Sequence, residues 1–181
     1  QTGGGIATAP AVTEDVVYIG TTDGVFYALD ADDGQLHWQS EIGMPILTSP
    51  AVSVNGDTVY FGAEDIAAYA LDTADGSLRW RTTLHGQSMS DRWPVVVDEL
   101  VIFRSQPLHH FHTLLREGDD VMDEAGAVVP GWAVDWSRVR PQITEFLEEN
   151  PDRQTFFALE ADTGAIRGPA PVLYTYGNND A

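Results

Sequence analysis

Val16-Val17-Tyr18-Ile19-Gly20, the turn Thr21-Thr22-Asp23-Gly24 and then Val25-Phe26-Tyr27-Ala28-Leu29-Asp30 form the stretch whose reading decides the fold, because it returns 42 residues later. The second copy runs Thr58-Val59-Tyr60-Phe61-Gly62, Ala63-Glu64-Asp65-Ile66, Ala67-Ala68-Tyr69-Ala70-Leu71-Asp72. Each copy is followed by a polar turn and a segment that ends in tryptophan: Ala31-Asp32-Asp33-Gly34-Gln35-Leu36-His37-Trp38, and Thr73-Ala74-Asp75-Gly76-Ser77-Leu78-Arg79-Trp80. Each is preceded by a short apolar lead, Thr8-Ala9-Pro10-Ala11-Val12 and Thr48-Ser49-Pro50-Ala51-Val52.

The runs are four to six residues long, rich in Val, Ile, Tyr and Phe, and bounded by Asp, Asn and Gly, which predicts strands rather than helices. Asp30 and Asp72 end a strand where a carboxylate can accept backbone N–H groups of the following turn, and Gly34 and Gly76 can take the positive φ that such a turn needs. Each unit therefore reads as four short strands. One such sheet cannot bury both faces alone, so a period near 40 residues implies sheets stacked around an axis as the blades of a β-propeller.

A third unit opens with Trp93-Pro94-Val95-Val96-Val97 and Leu100-Val101-Ile102-Phe103-Arg104 and resumes at Thr155-Phe156-Phe157-Ala158-Leu159. Blade 1 is expected over about 8–47, blade 2 over about 48–91 and blade 3 over about 92–172, with an insertion over about 105–154. Within it, Asp123-Glu124-Ala125-Gly126 suggests a hairpin ending at Pro130-Gly131. Ser137 is placed to cap a helix carrying Val139, Ile143, Phe146 and Leu147 on one face, stopped at Asn150-Pro151. Long ordered insertions often carry function, which makes this the first place to look.

The units resemble the repeats of the quinoprotein, or PQQ-type, propeller family, whose motif reads Ala-x-Asp-x-x-Thr-Gly-x-x-x-Trp. Ala28, Asp30, Gly34 and Trp38 match in the first copy, and Ala70, Asp72, Gly76 and Trp80 in the second, with Asp33 and Asp75 where the family has threonine. The third copy, Ala158-Leu159-Glu160-Ala161-Asp162-Thr163-Gly164, keeps Thr163 and Gly164 but has Glu160 for the aspartate and Gly168 for the tryptophan, which implies looser docking of its blade. The resemblance implies an all-β fold in which Trp38 and Trp80 pack between blades. It also implies an incomplete propeller. The remaining blades are expected in the same longer polypeptide or in another chain, or else copies associate through open blade faces.

Net charge is −19, from 28 acidic residues against nine arginines and no lysine. Such a surface repels phosphate backbones and anionic lipid, which argues against nucleic-acid and membrane-surface binding. Salt adaptation and an arginine-biased but ordinary acidic surface are both open readings. No stretch has the ~18 apolar residues of a membrane helix. The first residue, Gln1, and the lack of a signal-like segment read as a processed or excised piece. The absence of cysteine removes disulfides and thiolate chemistry.

Few residues carry chemistry. In Leu108-His109-His110-Phe111-His112 an extended backbone would put His110 and His112 on one face, able to share a metal with Asp119, Asp120 or Asp123. The competing reading is insertion residues bonded to backbone. A calcium ladder of alternating aspartates is absent, and Gly3-Gly4-Gly5 lacks the strand-then-helix setting of a phosphate loop and reads as a flexible lead-in. The family resemblance leaves two function classes. One is a non-catalytic, extracytoplasmic binding or scaffold propeller with no cofactor. The other is part of a dehydrogenase that oxidises an alcohol or sugar with PQQ and calcium. Many of those enzymes carry an adjacent-cysteine disulfide beside the quinone, which is impossible here.

Overall fold

The computed structural model describes residues 3–86, 88–90, 92–105, 141, 144–145, 147–151 and 154–169. These contain three four-stranded antiparallel sheets, each in simple sequential order. The first holds β1 (Ala11–Val12), β2 (Val16–Gly20), β3 (Val25–Asp30) and β4 (Leu36–Glu41). The second holds β5 (Ala51–Val52), β6 (Thr58–Ala63), β7 (Ala67–Asp72) and β8 (Leu78–Thr83). The third holds β9 (Val95–Val97), β10 (Leu100–Arg104), β11 (Phe156–Glu160) and β12 (Ile166–Pro169).

The registers are the same in all three: Val16 stands opposite Asp30, Thr58 opposite Asp72 and Leu100 opposite Glu160. The insertion leaves from β10 and returns into β11 without breaking that pair, since the Ser105 N–H still donates to the Thr155 carbonyl at 2.9 Å. Residues 141, 144–145 and 147–149 are helical, and Leu147 is buried. The rest of the expected helix (Ser137, Val139, Ile143, Phe146), the expected hairpin around 123–131 and the segment after 169 lie outside the described residues.

Stacking explains the burial. Strands β6 and β7 of the second sheet are buried on both faces, whereas β3 and β11 of the outer sheets alternate between buried and half-buried residues. A sheet covered on both sides reads as a continuous apolar run, and one covered on a single side alternates. Between the first two sheets Phe26 stacks on Phe61 with centroids 4.3 Å apart, and within the second sheet Phe61 stacks on its cross-strand partner Tyr69 at 5.3 Å. Each such ring pair adds about 0.5–1.5 kcal/mol beyond its buried area. Between the second and third sheets the core is Tyr60, Trp80, Val101, Phe103, Phe157 and Leu159.

The segments joining consecutive sheets fill the remaining space. Ile46 lies over Gly20 and Met89 over Gly62, both fully or almost fully buried, and a Cβ on Gly62 would come within 2.6 Å of Met89 Cε. Glycine at the end of the second strand is thus required by a close approach. The lead-in Gly3-Gly4-Gly5 is held rather than loose: the Thr22 N–H donates to the Gly5 carbonyl at 2.9 Å and the Gly5 N–H to Thr22 Oγ1 at 3.1 Å. A Cβ on Gly3 would stand 2.8 Å from Asp23 Oδ2, so absent side chains let this backbone lie against the β2–β3 turn.

In every sheet the turn before the second strand and the turn after the third emerge at the same end. That end gathers exposed Glu14, Asp15, Asp33, Asp75, Asp98 and Asp162, while Arg79 and Arg167 are its basic side chains among the described residues. Repulsion there should fall with screening, so the melting temperature is expected to rise as salt goes from ~0.05 to ~1 M, where the Debye length shrinks to a few ångströms. A flat or falling melting temperature in a salt series would favour the ordinary-surface reading of the acidic composition.

Candidate functional site

The polar residues that recur in every unit converge on one structure, the turn between the third and fourth strands and the tryptophan that meets it. Asp30 Oδ1 accepts the N–H groups of Asp32 and Asp33 at 2.9 and 3.1 Å, and Asp72 Oδ1 accepts that of Ala74 at 2.9 Å. The Gly34, Gly76 and Gly164 N–H groups close the turns onto the carbonyls of Asp30, Asp72 and Glu160. Their φ values are 72°, 72° and 69°, a left-handed conformation that glycine adopts without strain. Asp33 and Asp75 do the work of the family threonine: each accepts the N–H two residues on at 2.9 Å, as Thr163 Oγ1 does at 3.3 Å.

The preceding sheet's tryptophan seats on this turn. Trp38 Nε1–H donates to the Thr73 carbonyl at 2.8 Å and Trp80 Nε1–H to the Ala161 carbonyl at 2.7 Å. A Cβ on Gly76 would run into the Trp38 ring, and one on Gly164 would lie 2.6 Å from Trp80 Cδ2. Thr82 Oγ1 adds a 2.7 Å bond to the Gly164 carbonyl. The third turn, degenerate in sequence, therefore receives its tryptophan fully. What it lacks is a tryptophan of its own to pass on, since Gly168 stands there.

Each turn also carries a side-chain pair seven residues apart that the sequence reading did not single out: Asp30 with His37 at 3.5 Å, and the ion pairs Asp72 with Arg79 at 2.8 Å and Glu160 with Arg167 at 2.6 Å. Asp72 is held below the usual carboxylate range by Arg79 first and then the Ala74 N–H. Asp30 is lowered by the N–H groups of Asp32 and Asp33, Asp57 by the Thr58 hydroxyl, and Asp75 by Ser77. A carboxylate lowered on folding contributes stability above its unfolded pKa, which is lost as pH falls through the folded value. In salt sufficient to screen net charge, the urea midpoint should hold from pH 7 to about 5 and fall below about pH 4. An unchanged midpoint at pH 3 would show that these pairs do not stabilise the fold.

A second network lies at the opposite end, in the second sheet. Tyr69 donates its hydroxyl to Asp65 Oδ2 at 2.6 Å, and Arg81 binds the same oxygen at 2.7 Å and the Tyr69 hydroxyl at 3.0 Å. Burial would raise the Asp65 pKa, but these two donors outweigh it and lower it, while Arg81 is raised by Asp65. At the root of the insertion Ser105 and Thr155 are 1% and 2% exposed, and among the described residues neither hydroxyl has a hydrogen-bond partner.

The sequence-predicted metal candidates His110 and His112, with Asp119, Asp120 and Asp123, lie outside the described residues. Among the described residues no three His, Asp or Glu side chains stand close enough together to hold a metal ion.

A family model described as outer membrane protein assembly factor BamB matches residues 1–107 and, overlapping, 47–126. The chain belongs to this family of PQQ-type propeller repeats. BamB from Moraxella catarrhalis matches in structure over 92% of this chain and 37% of its own, with a TM-score of 0.55 at 18% identity. Quinohemoprotein alcohol dehydrogenase from Comamonas testosteroni matches over 91% of this chain and 20% of its own, with a TM-score of 0.53 at 17% identity. No curated protein matches in sequence. Likeness at such identities shows the fold, and the PQQ-type blades described here span less than two fifths of either solved chain. Among the described residues no helix is long and apolar enough to cross a membrane.

Proposed function

We propose that this chain is part of a non-catalytic propeller that works outside the cytoplasm as a binding or scaffold module for a protein partner. The observation that carries the reading is the match to a family described as an outer membrane protein assembly factor over more than half of the chain. The use of the recurrent polar residues supports it: Asp30, Asp72, Gly76 and Gly164 close turns and seat tryptophans. A fold shared with quinohemoprotein dehydrogenases does not carry their chemistry with it.

Purified protein, taken through PQQ and calcium addition and then desalting, is expected to show neither quinone absorbance nor dye-linked oxidation of alcohols or sugars above a protein-free control. A stoichiometric quinone band with turnover would replace this reading by the dehydrogenase one.

A further inference from the structure

We infer that the seam between the second and third sheets carries a pH-sensitive latch: the ionised carboxylate of Glu64 holds the segment that crosses from one sheet to the other, and acid releases it. At the first seam a peptide carbonyl does the holding. The Ile46 N–H donates to the Thr21 carbonyl at 3.1 Å, and Ile46 lies buried over Gly20. At the second seam Met89 lies over Gly62 in the same way, but its N–H is directed to Glu64 Oε1 at 3.4 Å. The same carboxylate takes the Ser88 hydroxyl, 2.9 and 3.1 Å from its two oxygens, and Ser88 Oγ accepts the Ser90 N–H at 3.0 Å. A titratable side chain thus stands in for a carbonyl. In the first sheet its place is held by uncharged Thr22, whose N–H donates to the Gly5 carbonyl as the Glu64 N–H donates to that of Pro45.

The turn that carries Glu64 is held under strain. Ile66 has a φ of 55°, where the first sheet's turn has Gly24 at 83°. A β-branched residue in the left-handed region persists only when its surroundings hold it there. Here the crossing segment supplies that hold: the Leu84 N–H donates to the Ile66 carbonyl at 2.8 Å, and Ile66 packs against the core between the second and third sheets.

An ionised carboxylate only accepts hydrogen bonds, and donors aimed at it favour the charged form. Protonation makes one oxygen a donor facing the Ser88 hydroxyl and the Met89 N–H, so the latch is closed at neutral pH and loosens as pH falls. Its charged neighbours are otherwise engaged or set apart. Asp65 and Arg81 pair with each other and with Tyr69. On the crossing segment His85 is exposed, and the Arg92 carbonyl accepts the Ser49 N–H farther along. Residues 42–48 of the first crossing carry no charge, and Arg104 of the third sheet lies over the Phe156 ring at 5.2 Å. None of this depends on what the protein binds.

Methyl-labelled methionine and backbone amide exchange test the latch over a pH series from about 7 to 3, in salt sufficient to screen net charge. The Met89 methyl resonance is expected to follow a titration that Met44, on the first crossing, does not share. At pH 7 Glu64→Gln, which keeps the size and removes the charge, should speed exchange of the Met89 amide on the order of tenfold and leave that of Ile46 unchanged. In the same variant the Met89 titration should vanish. A Met89 resonance that does not titrate, or that titrates equally in Glu64→Gln, overturns the inference, as does equal acceleration at Ile46. Should the variant fail to fold, the parent chain still decides: Met89 losing protection at a higher pH than Ile46 upholds the latch, and both losing it in one transition overturns it.

Discussion

Replacing Trp80 by alanine is expected to lower stability by about 3–5 kcal/mol, the usual cost of emptying a buried aromatic site. The side chain is 7% exposed, packs with Tyr60 at 5.8 Å between ring centroids, and donates its N–H across the interface to the Ala161 carbonyl. Truncation leaves a cavity between the second and third sheets and orphans that carbonyl, so the transfer and hydrogen-bond losses fall on one spot. Asp33→Thr, which restores the family residue, should be nearly neutral, because Thr163 already makes the same turn bond in the third sheet. Urea melts of both variants measure the contrast. An unchanged midpoint for Trp80→Ala would remove the tryptophan from the interface.

Gly76→Asn is expected to cost about 1–3 kcal/mol, the range for forcing atoms into a packed site. Asparagine tolerates the left-handed φ of 72°, so the backbone is not the obstacle; its Cβ meets the Trp38 ring. Gly34→Asn puts the same side chain on the same turn at the same φ, with open space around it, and should fall within about 0.5 kcal/mol of the parent. The pair separates the steric role of the glycine from its conformational one. Equal losses at both positions would mean that the turn, and not the indole, demands glycine.

Most of the fold was legible because each unit repeats its chemistry in place. The short runs rich in Val, Ile, Tyr and Phe, the terminal aspartates Asp30 and Asp72 and the glycines at Gly34 and Gly76 are local signals, and they set the strands and the turns. The seven-residue spacing of Asp72 and Arg79 was equally visible, but its meaning depends on the bulge between Ala70 and Leu71, which lets β8 bring the guanidinium back to the carboxylate. The crossing of Met89 over Gly62 was not read, because nothing local marks Ile46 or Met89, in the segments that join the sheets, as the residue that lies over the glycine. Gly3-Gly4-Gly5 was misread for a related reason: composition suggests freedom, while its placement is fixed by Thr22 and Asp23 across the turn. The third motif looked weak because Gly168 and Glu160 depart from the pattern, yet the residues that receive Trp80 are Ala161 and Gly164, and both are in place.

Two indoles clasped by the turn of the next sheet hold the three sheets together, and hydrogen exchange at the tryptophan ring N–H groups reads that directly. In an NMR exchange series Trp38 and Trp80, 8% and 7% exposed with their N–H groups bonded at 2.8 and 2.7 Å, are expected to exchange orders of magnitude more slowly than Trp93, which is 65% exposed. Trp38 and Trp80 exchanging as fast as Trp93 would contradict it.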